Sequence, residues 1–280
     1  MKTSEQSSFT RTELLVVVAM ITVFAGLLLP AVANSKSKGD AVTCLANLRR
    51  LIQAWELYST DNSGRLVGSY HGGFVPGVNA REKPWATGWL DWTVSSDNTN
   101  ILYLTQDRYA NLARYLGRDP KVFLCPADQF VSTVQKAHGW TRRCRSYSLS
   151  IGIGEGNAET GPWGNIYLHV TTTEGFRYPS PAETFVFLDE HPDSINDPGF
   201  FPPNSQTCIV DVPATLHGGA ASFAFADGHL ETHQWNGALA SPWARRVTQG
   251  AALVNFTVPR GDSDLHWLSY HAGRYSTNSY

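Results

Sequence analysis

The sequence is poor in charged residues, and the charges it has nearly cancel. Charged side chains make up 16% of the 280 residues, and 22 basic groups oppose 24 acidic ones, which gives a formal net charge of −2. A protein that binds nucleic acid, or anionic lipid through a basic patch, carries a clear excess of Lys and Arg. We therefore expect no nucleic-acid partner.

Familiar catalytic motifs are also missing. The sequence contains no G-x-S-x-G, no H-E-x-x-H and no C-x-x-C. The Gly152-x-Gly154 pair has neither the Lys-Ser/Thr of a phosphate loop nor the spacing of a dinucleotide-binding loop. Because no assembled set of catalytic residues is visible, we expect that the protein is not an enzyme and needs no organic cofactor.

Cysteine is scarce but even in number, with residues Cys44, Cys125, Cys144 and Cys208. An even count permits disulfides in an exported protein. Cys125 and Cys144 bracket a short polar segment, and they form the pair that we favour. Free buried thiols are the alternative.

One long apolar run stands near the start of the chain. Residues 14–33 contain no charged side chain, and about 20 apolar residues in a helix span a bilayer core of ~30 Å. The sequence predicts a membrane segment at about 14–33. A cleaved signal peptide is the alternative, because residues 31–33 match its cleavage pattern. Acidic Glu5 and Glu13 ahead of the run argue against it.

The helical pattern continues beyond the apolar run. Apolar side chains recur at spacings of three and four at Ala41, Leu45, Leu48, Ile52 and Trp55. This spacing places them on one helix face. Residues 61–64 are rich in turn formers, which end helices. The sequence predicts one helix from about residue 10 to 59.

The sequence after this helix predicts a globular head that contains several short strands. We predict strands at 122–125, 146–153, 184–188, 207–212 and from 221 onward, and a short helix at 109–116. Asp227-Gly228 indicates a type I′ hairpin turn. The predicted fold class is α+β, with a long N-terminal helix packed on a small antiparallel sheet. The head spans 63–235. In the extension 236–280, Leu265, Trp267 and Leu268 are expected to pack back onto the head.

Several acidic and histidine side chains suggest a metal site in the head. Asp189, Glu190 and Asp227 offer the oxygen ligands that calcium prefers, so calcium is the metal that we consider. The alternative is that Asp227 only forms the hairpin turn and His217 hydrogen-bonds to the hairpin.

Residues 9–33 resemble the N-terminal segment of type IV pilins and type II secretion pseudopilins. Phe9, Glu13 and Pro30 stand at the spacings typical of that family. The resemblance implies that a leader, residues 1–8, is removed between Ser8 and Phe9. It also implies that Glu13 pairs with the new amino terminus of a neighbouring subunit and that Pro30 kinks the helix. The pilin-type helix would then occupy residues 9–62, with its membrane part at about 14–33.

A second set of motifs resembles a pseudopilin-like family with the same N-terminal segment. His217 lies ten residues before Asp227-Gly228, an H-x9-D-G pattern. Residues 123–128 and 187–191 resemble that family too. The resemblance therefore runs from residue 9 to about 235.

The resemblance implies a structural subunit of a secretion or pilus-like filament. Its location would be the bacterial inner membrane, as a single-pass protein with its head in the periplasm or on an extracellular filament. Its partners would be other copies and other pseudopilins, the prepilin peptidase, the inner-membrane assembly platform and membrane lipid. The alternative is a monomeric anchored protein that binds a glycan or another ligand through the Trp-rich loop 85–92. Ser8 stands where the family has glycine, which favours this alternative.

Overall fold

The structure is a computed structural model that describes residues 10–69, 84–154, 169–203, 205–250 and 254–273. Within the first helix, the side chains of residue 25 and of residues 27–37 lie outside this description. The predicted leader 1–8, its cleavage site at Ser8 and Phe9, and the side chain of Pro30 therefore fall outside the described part. The chain divides into two compact units, Met1–Gly39 and Asp40–Tyr280.

The first element is a 51-residue helix, α1 (Arg11–Asp61), whose extent agrees with the predicted helix. Its start is capped by Thr10 and Glu13. The Thr10 backbone N and Oγ1 each donate to Glu13 Oε2 at 2.8 Å, and Glu13 N donates to Thr10 Oγ1 at 3.2 Å. This reciprocal pair is a capping box, which satisfies backbone groups left open at a helix start. The structure thus gives Glu13 a local role in starting α1.

No helix in the described part of the chain is both long and apolar enough to cross a bilayer. The predicted membrane segment at about 14–33 is therefore wrong, and so is the single-pass inner-membrane location that depended on it.

The centre of the second unit is a five-stranded sheet. Its strands are β1 (Tyr147–Ser150), β2 (Phe185–Asp189), β3 (Gly199–Phe200), β5 (Ala220–Phe225) and β6 (Leu230–Gln234). The strand order is β3-β1-β2-β5-β6. A separate antiparallel pair joins β4 (Cys208–Asp211) to β7 (Val254–Thr257).

The sheet is mixed, because β3 runs parallel to β1 while the other neighbours are antiparallel. The predicted fold class is therefore wrong in two respects. The sheet is not the small antiparallel head of a pilin, and no membrane-spanning helix is present among the residues described. The α+β composition itself is observed.

Apolar side chains fill both faces of the sheet. On one face, the second part of α1 contributes Leu48, Ile52 and Trp55, which pack in one cluster with Tyr147 and Phe187. The opposite face is covered partly by α4 (Ser263–His271). Its Leu265 and Leu268 are buried with Phe185, Phe223, Phe225 and Trp235. Fully burying a side chain of this kind stabilises a fold by ~1.5–3 kcal/mol, so both helices contribute substantially.

The hairpin between β5 and β6 differs from the predicted turn. Gly228 N donates to Phe225 O, and Phe225 N donates to His229 O, both at 2.9 Å. Gly228 has φ +87°, but Asp227 does not have a positive φ, so the turn is not type I′. It is the three-residue form in which a type I turn is followed by a glycine bulge. A Cβ at Gly228 would lie 2.7 Å from Oε1 of Glu56 on α1.

Two further sequence predictions were wrong. The predicted strand at 122–125 overlaps a 3-10 helix, Pro120–Phe123. The predicted helix at 109–116 is a succession of turns. The other short helices are α2 (Leu102–Thr105) and α3 (Thr133–Ala137).

Two histidines in the contact between β6 and α4 predict a loss of stability in acid. The His233 ring stacks on the Trp267 ring, with 3.8 Å between the ring centroids. The centroid of the Trp267 ring lies 4.3 Å from that of His271. Burial lowers the pKa of both histidines below the usual 6.5. At these two side chains, the unfolded chain therefore binds more protons than the folded chain once the pH falls below about 6.5. The contribution of these two histidines to stability is fully present above that pH. It decreases as the pH falls through their folded-state pKa values.

We expect the contribution of His233 and His271 to the free energy of unfolding to be smaller at pH 5 than at pH 7, as measured by urea unfolding of the parent chain and the double variant with tryptophan fluorescence. A His233→Gln/His271→Gln double variant should show a smaller difference between the two pH values. His138→Gln is the control, because His138 is exposed. An unchanged pH dependence in the double variant would contradict the assignment.

Candidate metal centre

Four side chains with metal-binding chemistry meet inside the second unit. Cys44, Cys125, Asp189 and His217 each place one ligand atom so that all four atoms lie within 4.8 Å of one another. All four residues are buried, and His217, the most exposed of them, has a relative exposure of only 8%. Buried groups of this type are expected to be paired with one another or to coordinate a metal.

Each ligand is positioned by a different element. Cys44 lies on the buried face of α1, one turn before Leu48. Cys125 follows the 3-10 helix Pro120–Phe123, and Asp189 is the last residue of β2. His217 belongs to the connection between β4 and β5. It precedes Gly218 and Gly219, whose φ angles of +73° and +89° favour glycine.

The distances between the ligand atoms are short. His217 Nε2 lies 3.0 Å from Asp189 Oδ2 and 3.4 Å from Cys125 Sγ. The Cys44 thiol donates to the same Asp189 Oδ2 at 3.5 Å. Asp189 Oδ2 is therefore shared by an imidazole and a thiol, and the imidazole contacts the second thiol.

Three of the six distances between the ligand atoms are close to the edges of a small tetrahedron, and all six are within 4.8 Å. Zinc binds Cys sulfur at ~2.3 Å, His nitrogen at ~2.0–2.1 Å and carboxylate oxygen at ~2.0–2.2 Å. Tetrahedral angles then place neighbouring ligand atoms roughly 3.4–3.8 Å apart. The two sulfur-containing distances, 3.4 and 3.5 Å, fall within this range. The Asp189–His217 distance needs to lengthen by only about 0.4 Å.

The donor set also selects the metal. Two sulfurs, one imidazole and one carboxylate suit zinc, whereas calcium takes six to eight oxygen ligands. The four residues therefore fit zinc better than the calcium considered from the sequence.

Surrounding groups orient two of the ligands. Ser222 N donates to Asp189 Oδ1 at 2.6 Å, which turns Oδ2 toward the other ligands. The Tyr147 hydroxyl donates to Cys44 Sγ at 3.3 Å. Such outer contacts orient metal ligands. His217 Nδ1 is buried and has no hydrogen-bond partner within the described ranges.

Burial and hydrogen bonds shift the pKa values of three of the four side chains in the cluster. Burial raises the pKa of Cys44 well above its usual value, whereas a hydrogen bond from Cys44 lowers the pKa of Cys125. Burial alone would lower the pKa of His217. The hydrogen bonds to Asp189 and Cys125 outweigh that effect and raise the pKa of His217 to about 10. In protein without metal, His217 is therefore a cation paired with the Asp189 carboxylate.

The structure brings together only part of the predicted calcium set. Asp189 is in the cluster, but Glu190 accepts hydrogen bonds from the Ser194 and Ser148 hydroxyls instead. Burial raises the pKa of Glu190 to about 8. Asp227 stays at the hairpin turn, with its Oδ1 2.6 Å from His229 Nδ1. The H-x9-D-G pattern thus separates into a candidate metal ligand, His217, and a turn.

The structure contains no disulfide among the described residues, and all four cysteines are free. The pair Cys125–Cys144, favoured from the sequence, is not formed. Cys144 Sγ donates to Asp97 O at 3.4 Å, while Cys125 contacts His217. Sequence reasoning missed Cys44 and Cys125 as ligands. The available signal was that Cys125 and Asp189 each directly follow a buried apolar run.

Comparison of the chain with models of protein families, with curated proteins and with solved structures finds no match. Together with the mixed sheet and the absence of a membrane-spanning helix among the described residues, this result contradicts the predicted membership of the pilin and pseudopilin family. The secretion and filament assignments drawn from that resemblance have no family evidence. The filament role and its partners stay untested predictions.

Proposed function

We propose that the protein is a zinc-binding structural protein without catalytic activity. The proposal is carried by one observation, the convergence of four buried ligand atoms from Cys44, Cys125, Asp189 and His217 within 4.8 Å. The bound ion would join the second part of α1 to the sheet.

The completeness of the ligand set favours a structural ion over a catalytic one. Structural zinc sites use four protein ligands, whereas catalytic sites use three and leave a position for water or substrate. Here four protein groups are available, and three of them have a relative exposure of 0%. A substrate would have no route to the metal without displacing a ligand.

The positions of the ligands explain what the ion would do. Cys44 comes from α1, Cys125 from the segment after a 3-10 helix, and Asp189 from the central strand β2. One ion would therefore cross-link parts of the chain that are distant in sequence. Structural zinc contributes directly to folding free energy, because the unfolded chain has no preformed site.

The proposal is tested by metal analysis of the purified protein. We expect one zinc per chain by mass spectrometry of metals. Replacement by cobalt should give the intense visible absorption and the sulfur-to-cobalt charge-transfer band of a tetrahedral thiolate site. Cys44→Ser and Cys125→Ser should each lose these bands. Cys144→Ser and Cys208→Ser are matched controls and should keep them.

Two results would overturn the proposal. One is a protein that, refolded with excess zinc, retains no metal after gel filtration. The other is a Cys44→Ser/Cys125→Ser double variant that still binds one cobalt with an unchanged spectrum.

A further inference from the structure

A second site lies in a cleft that contains none of the four metal ligands. The cleft has a volume of about 310 Å³. One wall is the loop 89–93, and the other is the segment 192–196. Arg143 also lines it. This volume is at the lower end of the ~300–1,000 Å³ range of small-molecule sites.

Aromatic side chains supply part of the first wall. The Trp89 side chain is exposed, with a relative exposure of 36%. Trp92 is covered on one ring face by the Arg143 guanidinium, 4.0 Å from the ring centroid. Trp85, the third tryptophan of this region, is fully buried and stacks on Phe123. Trp89 is therefore the indole of this loop that is most available to a ligand.

The loop is held in place before any ligand binds. Gln135 Nε2 donates to Asp91 O at 2.9 Å and to Thr93 O at 2.7 Å. The Ser132 hydroxyl donates to Trp92 O at 2.7 Å. A preorganised wall lowers the entropy cost of binding.

Arg143 lines the cleft and is held in place by the neighbouring segment 192–196. It is 3% exposed, and its Nη2 donates to Pro192 O at 2.7 Å. Its Nε is buried and has no hydrogen-bond partner anywhere in the part of the chain that is described. A buried donor without a partner is costly, by about 1–3 kcal/mol. Because Nε is buried, a ligand in the cleft would contact other parts of the Arg143 side chain.

The charges around the cleft disfavour an anionic ligand. Asp91 and Asp193 both line it. Their carboxylates already accept hydrogen bonds, Asp91 from Asn98 and Asp193 from Thr248. The two acidic groups oppose the single Arg143 cation, so a ligand with its own negative charge would be repelled.

We propose that this cleft binds a neutral saccharide of one or two rings. The C–H face of a sugar would pack on the Trp89 indole, and its hydroxyl groups would face the polar lining that includes Asp91, Asp193 and Arg143. A sugar suits the cleft because it combines an apolar ring face with acceptor oxygens and carries no charge. The site is independent of the proposed zinc ion.

The test uses the purified full chain and a panel of neutral disaccharides, namely maltose, cellobiose, mannobiose and chitobiose. Isothermal titration at up to about 10 mM sugar detects dissociation constants in the millimolar range. We expect saturable binding of at least one of them and at least tenfold weaker binding of glucuronic acid than of glucose. Trp89→Ala should weaken the disaccharide at least tenfold.

Trp243→Ala is the matched control. It removes another exposed indole, at 57% relative exposure, that does not line the cleft. Binding should be unchanged in this variant. The proposal is overturned if no disaccharide of the panel binds, if Trp89→Ala binds as tightly as the parent chain, or if glucuronic acid binds as well as glucose.

Discussion

Treatment of the purified protein with a strong chelator is expected to lower its melting temperature by roughly 8–16 °C. A ligand present at about 1,000 times its dissociation constant stabilises the folded state by ~4 kcal/mol. For a domain of about 150–250 residues, 1 kcal/mol corresponds to ~2–4 °C. The loss follows because Cys44 on α1 would no longer be tied through the ion to Asp189 on β2. Differential scanning calorimetry before and after chelation measures it.

Matched variants separate metal loss from other effects of the chelator. Cys208→Ser keeps all four ligands and should show the full decrease. Cys44→Ser should start with a lower melting temperature and respond little to the chelator. A parent chain whose melting temperature is insensitive to chelation, although it contains zinc, would show that the ion does not stabilise the fold.

Replacement of Asp189 by Asn is expected to destabilise even the chelator-treated protein by ~3–5 kcal/mol at pH 7. The change keeps an oxygen for Ser222 N but removes the negative charge that lies 3.0 Å from His217 Nε2. Removing one partner of a buried ion pair leaves the other charge uncompensated, and costs of this size are typical. Urea unfolding in the presence of chelator measures the difference.

The chain offers a control with the same chemistry at the surface. Asp227 contacts His229 at 2.6 Å, but the two side chains are 37% and 42% exposed. Exposed pairs contribute about 0–1 kcal/mol, so Asp227→Asn should change the free energy of unfolding by less than ~1 kcal/mol. Equal effects of the two substitutions would contradict the assignment of a buried pair at Asp189.

The central parts of the fold could be predicted from sequence because their patterns are local. The stripe Leu48, Ile52 and Trp55 has a helical period and is buried as expected. The run at 184–188 and the alternation from 221 became β2 and β5. By contrast, four apolar or small residues at 122–125 do not distinguish a strand from a tight helical turn. That segment became a 3-10 helix, Pro120–Phe123.

The metal centre was much harder to predict, because its ligands are separated by long stretches of chain. Cys44 lies in the apolar stripe of α1, where the sequence gives no reason to distinguish a cysteine ligand from a small core residue. Cys125 was predicted to form a disulfide with Cys144, which is close to it in sequence. Only tertiary packing shows that Cys44 and His217 face the same point.

The family assignment failed for a related reason. It depended on a few residues at fixed spacings, such as Phe9, Glu13 and Pro30, in an apolar run. Apolar helices share composition easily, and short spacings recur without common descent. Glu13 illustrates this, because its carboxylate serves the start of its own helix through Thr10.

The order of the ligands along the chain has a consequence for biosynthesis. About 170 residues separate Cys44 from His217. At ~5–20 residues per second, a ribosome needs roughly 9–35 s to extend the nascent chain from the first to the last of them. During that interval the Cys44 thiol cannot contact His217, because His217 has not been synthesised. Truncated translation products that end before residue 217 should therefore lack one of the four proposed zinc ligands.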